Sequence, residues 1–306
     1  MEWMLAARPP FSLGAVVGSH GWVQLAPFVR DEATGGLRRV ERLASGQVVE
    51  LRIWEVPGGV QVEVVETLTE AEQAELSDKV SWMLGLVQDF SAFYALARQE
   101  PKLAGVMENA QGRLLRSPTL FEDVVKTILT TNTAWSGTKR MVGSLVAWFG
   151  SPLVASAPTA QDESALRYSE APQAFPTPEQ VAAADEAMLR GEVRLGYRAP
   201  YVLELACSVA SGALDLEALR HTDLPTAELR KRLLALKGVG AYAAANLLMI
   251  LGRYDFLPVD SWALKMVSHE WHSGEPVGAA EVEAAFDHWG EWKGLAYWFW
   301  DWSYKG

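Results

Sequence analysis

Asp260 is the residue whose surroundings look most like chemistry. It stands two places after Pro258 in Leu257-Pro258-Val259-Asp260-Ser261-Trp262, about one helix length beyond the turn Gly238-Val239-Gly240. A carboxylate in a partly dry cleft can stabilise a developing positive charge, or orient and deprotonate an attacking water. Gly238 and Gly240, having no side chains, can offer main-chain N–H groups at the positive end of the helix that begins near Ala241, a ready anion site. Lys237, Arg230, Lys231, Arg232 and Arg253 add a local positive field, and no acidic residue interrupts Leu229 to Tyr254. A helix of about eleven residues spans about 16 Å, so the turn and Asp260 cannot touch but can face one elongated ligand. Each piece also has a plain structural reading: a glycine C-cap for the turn and a helix N-cap for Asp260.

The elements that must position these groups can be read from periodicity. Residues 47–56 and 60–66 alternate as strands, with Pro57-Gly58-Gly59 as the turn between them, and a further strand is expected within 21–29. Residues 69–86 and 89–99 read as helices. From about Ser117 helical spacing takes over: Leu120, Phe121, Val124, Val125, Ile128 and Leu129 share one face. Residues 151–175, rich in Pro, Ser and Ala, read as a long surface loop, and helices resume around 178–190, 199–212, 226–236, 241–251, 261–272 and 279–289. The expected division is a mixed sheet-and-helix domain over 1–105 and a helical domain over 106–306 in two halves.

Composition narrows the function. Cys207 is the single cysteine, which excludes an intramolecular disulfide, a four-cysteine iron–sulfur cluster and a cysteine-rich zinc site. No charged leader or membrane-length apolar run is present, so a cytoplasmic protein with no membrane partner is expected. The net charge of −11 argues against a nonspecific nucleic-acid binder, leaving the local field around the glycine turn to decide where a polyanion could dock. Thirteen tryptophans exceed ordinary use and suit stacking surfaces as well as cores. His269 and His272 lie one helical turn apart in Ser-His-Glu-Trp-His, but zinc wants three or four ligands, so a metal-dependent hydrolase is a distant alternative and no metal site is expected.

Residues 229–267 resemble the helix–hairpin–helix plus Gly/Pro…Asp signature of the DNA base-excision glycosylase superfamily. Two further segments are similar in the right order: Leu120–Val142, like the early helix and turn of the 8-oxoguanine and 3-methyladenine branches, and Leu195-Gly196-Tyr197-Arg198-Ala199, like the segment between the helical halves. The resemblance covers about residues 110–300, and the mixed first third suits the N-terminal sheet domain of those two branches. It implies a mainly α fold with an N-terminal α+β domain, namely an antiparallel sheet domain plus two helical subdomains. It implies that Gly238, Val239, Gly240 and Lys237 hold a DNA phosphate and that Asp260 is the catalytic acid beside the sugar of a flipped nucleotide. Bifunctional members carry a lysine nucleophile two places after the second glycine; Tyr242 stands there, so hydrolysis without lysine-dependent strand cleavage is expected.

Within the aromatic tail His288–Gly306, Trp289–Ala296 resembles the segment of 8-oxoguanine glycosylases that precedes their base-contacting residues, which would put Tyr297 near the base; Tyr242, Trp262, Tyr297 and Trp300 are expected to line the base pocket. Aromatic faces suit a cationic alkylated purine, whereas Trp262, at a phosphate-contacting position of the 8-oxoguanine branch, speaks against that specificity. Asn132 and Arg198 are expected to contact DNA, and His20 falls where the 8-oxoguanine branch has a damage-reading loop. The implied partner is duplex DNA with a damaged base, engaged by a monomer. No cofactor is expected, with room for a structural cation at the hairpin. The alternative within the same resemblance is a noncatalytic damage-binding protein.

Overall fold

The computed structural model describes residues 1–153 and 171–303, so most of the loop expected over 151–175 and the last residues of the aromatic tail lie outside the described residues. Seven strands are described: β1 (Glu2–Ala6), β2 (Phe28–Arg30), β3 (Leu37–Arg42), β4 (Val48–Val56), β5 (Gly59–Val64), and the short pair β6 (Ser151–Pro152) and β7 (Gln173–Ala174), which lie at the two ends of the expected loop and pair with each other. The helices in chain order are α1 (Leu13–Val17), α2 (Glu70–Leu84), α3 (Ser91–Ala97), α4 (Leu120–Thr130), α5 (Trp135–Phe149), α6 (Pro178–Ala182) and α7 (Glu186–Gly191). They continue as α8 (Ala199–Ala210), α9 (Thr226–Leu234), α10 (Ala241–Ile250), α11 (Ser261–Trp271), α12 (Ala279–Phe286) and α13 (Lys293–Phe299). Among the described residues no helix is long and apolar enough to cross a membrane.

Two compact units divide the chain: Met1–Val87 with Arg113–Ala218, and Gln88–Gly112 with Leu219–Gly306. This partition follows contacts rather than residue type, so it differs from a single cut near residue 105. In the first unit β1 to β5 form an antiparallel sheet in the order β1-β5-β4-β3-β2, and β6 and β7 form a separate two-stranded one. Strand β4 shows why it forms: Val49, Leu51 and Ile53 are buried on one face while Glu50 and Arg52 pair on the other. The strand expected within 21–29 is only partly present. Gly21–Gln24 is a 3-10 turn, started by the His20 side chain accepting from the Trp22 N–H, and pairing begins only at Phe28.

Helix α4 is buried on every side from Leu120 to Leu129, including Glu122, Asp123 and Lys126. Charges in such a place must be paired. Glu122 accepts from Arg39 Nη1 at 3.1 Å, Arg39 Nη2 at 2.8 Å and Lys126 Nζ at 2.6 Å, while Arg39 Nε donates to Glu41 at 2.9 Å. The Lys126 ammonium also sits 4.5 Å from the centre of the Phe28 ring. One Asp123 oxygen accepts from Trp22 Nε1 at 2.8 Å and from the Ser117 N–H at 3.0 Å.

This network sets a pH dependence. Burial pushes His20 down to about 4, so stability present above its ordinary value near 6.5 is lost as pH falls toward 4. Burial pushes Asp123 up to about 6, so its contribution is fully present below about 3.8 and lost as pH rises through 6. The two offset each other over the same window. Although burial opposes it, the flanking Arg39 and Lys126 cations hold Glu122 down at about 2, so its contribution is lost as pH falls from about 4.5 to 2. Urea-unfolding stability is therefore expected to stay nearly level from pH 6.5 to 4.5 and then to fall steadily. A steep loss already at pH 6 would contradict the offset.

The second unit holds α3 and α9–α13. Much of the tryptophan surplus is spent here. Tyr254 stacks on Trp292 at 5.7 Å and 21°, with Phe90 and Phe93 tilted against the same indole. A second cluster joins Trp271, Phe286, Tyr297, Trp300 and Trp302 through mostly edge-on contacts of 5.3–6.3 Å. Such geometry suits the ring quadrupole and fixes the segment that follows α13.

Candidate active site

The glycine corner joins α9 to α10. Leu229 and Leu233 bury one face of α9, and Leu247 and Leu248 bury the matching face of α10. Gly238 turns the chain at φ +84°, a left-handed value that a Cβ disfavours. Val239 is 6 % exposed, plugs the corner and donates its N–H to Leu236 O at 3.1 Å. Gly240 is the N-cap of α10 and has no side chain with which to cap it. No heavy atom lies within 4 Å of where a Cβ on Gly240 would stand, so the backbone there is open to an approaching group. Neither Gly238 N–H nor Gly240 N–H donates to a described residue, and the Lys237 side chain is exposed at the same corner. Gly238→Ala is expected to cost about 1–2 kcal/mol through the left-handed conformation, seen as a lower melting temperature.

Asp260 serves as the N-cap of α11: its Oδ1 accepts from the Ala263 N–H at 2.8 Å. The plain structural reading of this residue is thus correct, but it accounts for one oxygen only. Asp260 is exposed, and Oδ2 accepts nothing from any described residue. Its charge reaches Tyr242 and Tyr297. Burial first and the Asp260 carboxylate second raise the pKa of both hydroxyls, with Tyr242 a further contributor at Tyr297. Both phenols therefore remain protonated donors near the acid.

The expected pocket residues separate. Tyr242 is 37 % exposed and Trp262 45 % exposed, whereas Tyr297 is buried. Trp262 stands edge-on to Tyr297 at 6.3 Å and to Trp302 at 5.4 Å. Trp300 departs from expectation. It is buried, packs on Phe286 and Trp271 at 5.4 and 5.3 Å, and supports the cluster rather than presenting a face to a ligand. Trp302 takes the outer place instead, held by its Nε1 donating to Tyr297 O at 3.3 Å. Its position past the end of α13, where periodicity carries no signal, hid it from sequence reasoning.

The remaining candidates lie in the first unit. Asn132 is exposed at φ +47°, and its Nδ2 donates to the Tyr197 hydroxyl at 3.4 Å. Arg198 corrects the expectation of a phosphate contact. It is buried, its Nη2 donates to the carbonyls of Thr131 and Asn132, and its guanidinium lies 4.4 Å from the Tyr197 ring centre. It therefore braces the Asn132 turn. Tyr197, 46 % exposed beside Asn132, is a surface aromatic that the Gly-Tyr-Arg segment contained but sequence reasoning passed over. His20 is committed too: Nε2–H donates to Leu115 O at 2.7 Å and Nδ1 accepts from the Trp22 N–H at 3.4 Å, so neither nitrogen is left to read a base. For His269 and His272, no group of three His, Cys, Asp or Glu side chains among the described residues is placed to hold a metal ion.

No protein-family model matches the sequence, and no curated protein matches it. Solved structures do. A 3-methyladenine DNA glycosylase from Archaeoglobus fulgidus is similar with a TM-score of 0.74 at 20 % identity, covering 97 % of each chain. MBOgg1 in complex with a low-affinity DNA ligand is similar at 0.73 and 21 % identity, covering 98 % of this chain and 94 % of that one. The Clostridium acetobutylicum 8-oxoguanine glycosylase/lyase, bound to duplex DNA with cytosine opposite 8-oxoguanine, is similar at 0.71 and 19 % identity, covering 99 % and 96 %. Over nearly its whole length, then, the chain has the helix–hairpin–helix DNA-glycosylase fold.

Proposed function

We propose that the chain is a monofunctional DNA glycosylase that hydrolyses the N-glycosidic bond of a damaged, alkylated purine in duplex DNA. The observation that carries this reading is the half-committed Asp260: one oxygen caps α11 while the other stays open in an exposed position beside two protonated phenols. Rotation of a nucleotide out of the stack would bring its sugar to this oxygen. As the bond from C1′ to the base breaks, electrons leave with the base and positive charge grows on the sugar. Asp260 stabilises that charge, and a water then adds to C1′ and gives its proton to the carboxylate. The uncapped Gly238–Gly240 corner holds a backbone phosphate through main-chain donors and Lys237, which suits a protein of net charge −11.

Two features support hydrolysis over lysine chemistry and an alkylated base over 8-oxoguanine. Tyr242 occupies the place of a lysine nucleophile, and the walls offered by Tyr242, Trp262 and Trp302 are aromatic faces that attract a cationic ring. The test is a panel of duplexes carrying 3-methyladenine, 1,N6-ethenoadenine, hypoxanthine, 8-oxoguanine or uracil. Release of free base with an intact strand, fastest for an alkylated purine, is the expected result. Retention of damaged duplex without any release would replace the enzyme by a damage-binding protein, and strand cleavage trapped by borohydride would overturn the monofunctional assignment.

A further inference from the structure

Residues 301–303 follow α13 and belong to no helix or strand, so their main-chain groups need partners from elsewhere. A single residue, 199 positions away in the chain, serves both main-chain groups of Asp301. The Lys102 carbonyl accepts from the Asp301 N–H at 3.0 Å, and Lys102 Nζ donates to the Asp301 carbonyl at 3.1 Å. The same ammonium pairs at 3.0 Å with Glu270, near the C-terminal end of α11, where the helix dipole also favours a cation. Lys102 is itself anchored in the short 3-10 turn Pro101–Leu103, its N–H donating to the Glu100 side chain at 3.1 Å. One side chain thus ties the tail to α11.

The next residue is Trp302. Its ring centre lies 6.1 Å from that of Trp271, at the last residue of α11, and 5.4 Å from that of Trp262, in the first turn. Asp260 caps that first turn through the Ala263 N–H. Trp262 is exposed and Trp302 half-buried, so both rings keep some surface that a ligand can reach.

We infer that Lys102 is a positioning residue: by holding Asp301 through two hydrogen bonds and Glu270 through an ion pair, it sets the Trp302 ring against Trp262 at the end of α11 that Asp260 caps. This rests on the glycosylase reading, in which the two rings are walls for the extruded base. An ion pair so near the surface contributes little to stability by itself. Its effect is on where the tail lies.

The experiment measures single-turnover release, at saturating enzyme, of whichever lesion wild type releases fastest from the panel above. Lys102→Met keeps the stem and loses the donors, Lys102→Arg keeps donors, and Trp302→Ala removes the ring. The double variant of Lys102→Met and Trp302→Ala completes a cycle. Lys102→Met is expected to slow release about 10-fold, the scale of one lost base–aromatic contact, and Lys102→Arg to recover most of it. Affinity for undamaged duplex should match wild type. The double variant should be no slower than Trp302→Ala alone, because a residue that acts through Trp302 has nothing left to position. Losses that multiply in the double variant, or a wild-type rate for Lys102→Met, would overturn the assignment while leaving the glycosylase reading intact. So would a lowered melting temperature with parallel loss of undamaged-duplex binding, which marks a folding role. Absence of release of every base by wild type would sink the glycosylase reading first, and this one with it.

Discussion

Asp260→Asn is expected to lower single-turnover base release by about 100-fold or more, the usual scale for deleting a charge-stabilising group. Affinity for an abasic-site duplex should be unchanged or slightly tighter, because a negative charge near phosphate has gone. The substitution is chosen because the residue has two jobs. Oδ1 caps α11 through the Ala263 N–H, and asparagine caps about as well as aspartate. The fold is therefore retained while the charge on the open oxygen is lost. Asp260→Ala removes both and should in addition lower stability by about 1 kcal/mol. A variant with Asp260→Asn that still releases base at the wild-type rate would remove Asp260 from the mechanism, whatever the fold resembles.

The parts of this site that could be read in the sequence are those governed by backbone chemistry. A glycine at positive φ between two apolar helical runs and an aspartate before a helix leave local signatures, and both occur where expected, at Gly238 and at Asp260. Side-chain commitments made across the fold leave none. Arg198 was legible as a cation but not as the brace of the Asn132 turn, because its acceptors lie 66 and 67 residues away in the chain. Trp300 and Trp302 are residues of one type two places apart, and only packing decides that the first is buried in the cluster and the second half-buried against Trp262. In the sheet, β4 and β5 announce themselves by alternation, while β1 (Glu-Trp-Met-Leu-Ala) and β3 (Leu-Arg-Arg-Val-Glu-Arg) do not. Strand β3 carries charges inward, where Arg39 and Glu41 meet partners on α2 and α4, and a pattern scan reads that as a solvated segment.

Those inward charges give the largest expected effect on stability. Glu122→Gln keeps the shape of the side chain but removes the one carboxylate that Arg39 and Lys126 share. Arg39 retains Glu41, yet Lys126 is left with no carboxylate partner within hydrogen-bonding distance among the described residues, fully buried between the rings of Phe28 and Phe175. Breaking a buried ion pair from one side costs about 3–5 kcal/mol, a large share of the 5–15 kcal/mol typical of a folded protein. The expected observation is a lower urea midpoint with an unchanged denaturant slope, which marks lost stability rather than a changed unfolded state. Adding Lys126→Met should restore part of the loss, since the stranded charge rather than the missing contact is the main penalty. If Glu122→Gln costs under about 1 kcal/mol, water must reach the network and the pairing is not what seats α4. The consequence extends to the Asn132 turn of the same unit, because α4 ends at Thr130 and leads directly into it. If, as proposed, Asn132 contacts DNA and Asp260 acts on the sugar, loosening the helix at Glu122 is expected to weaken duplex binding and to leave the rate of base release from bound DNA as it was.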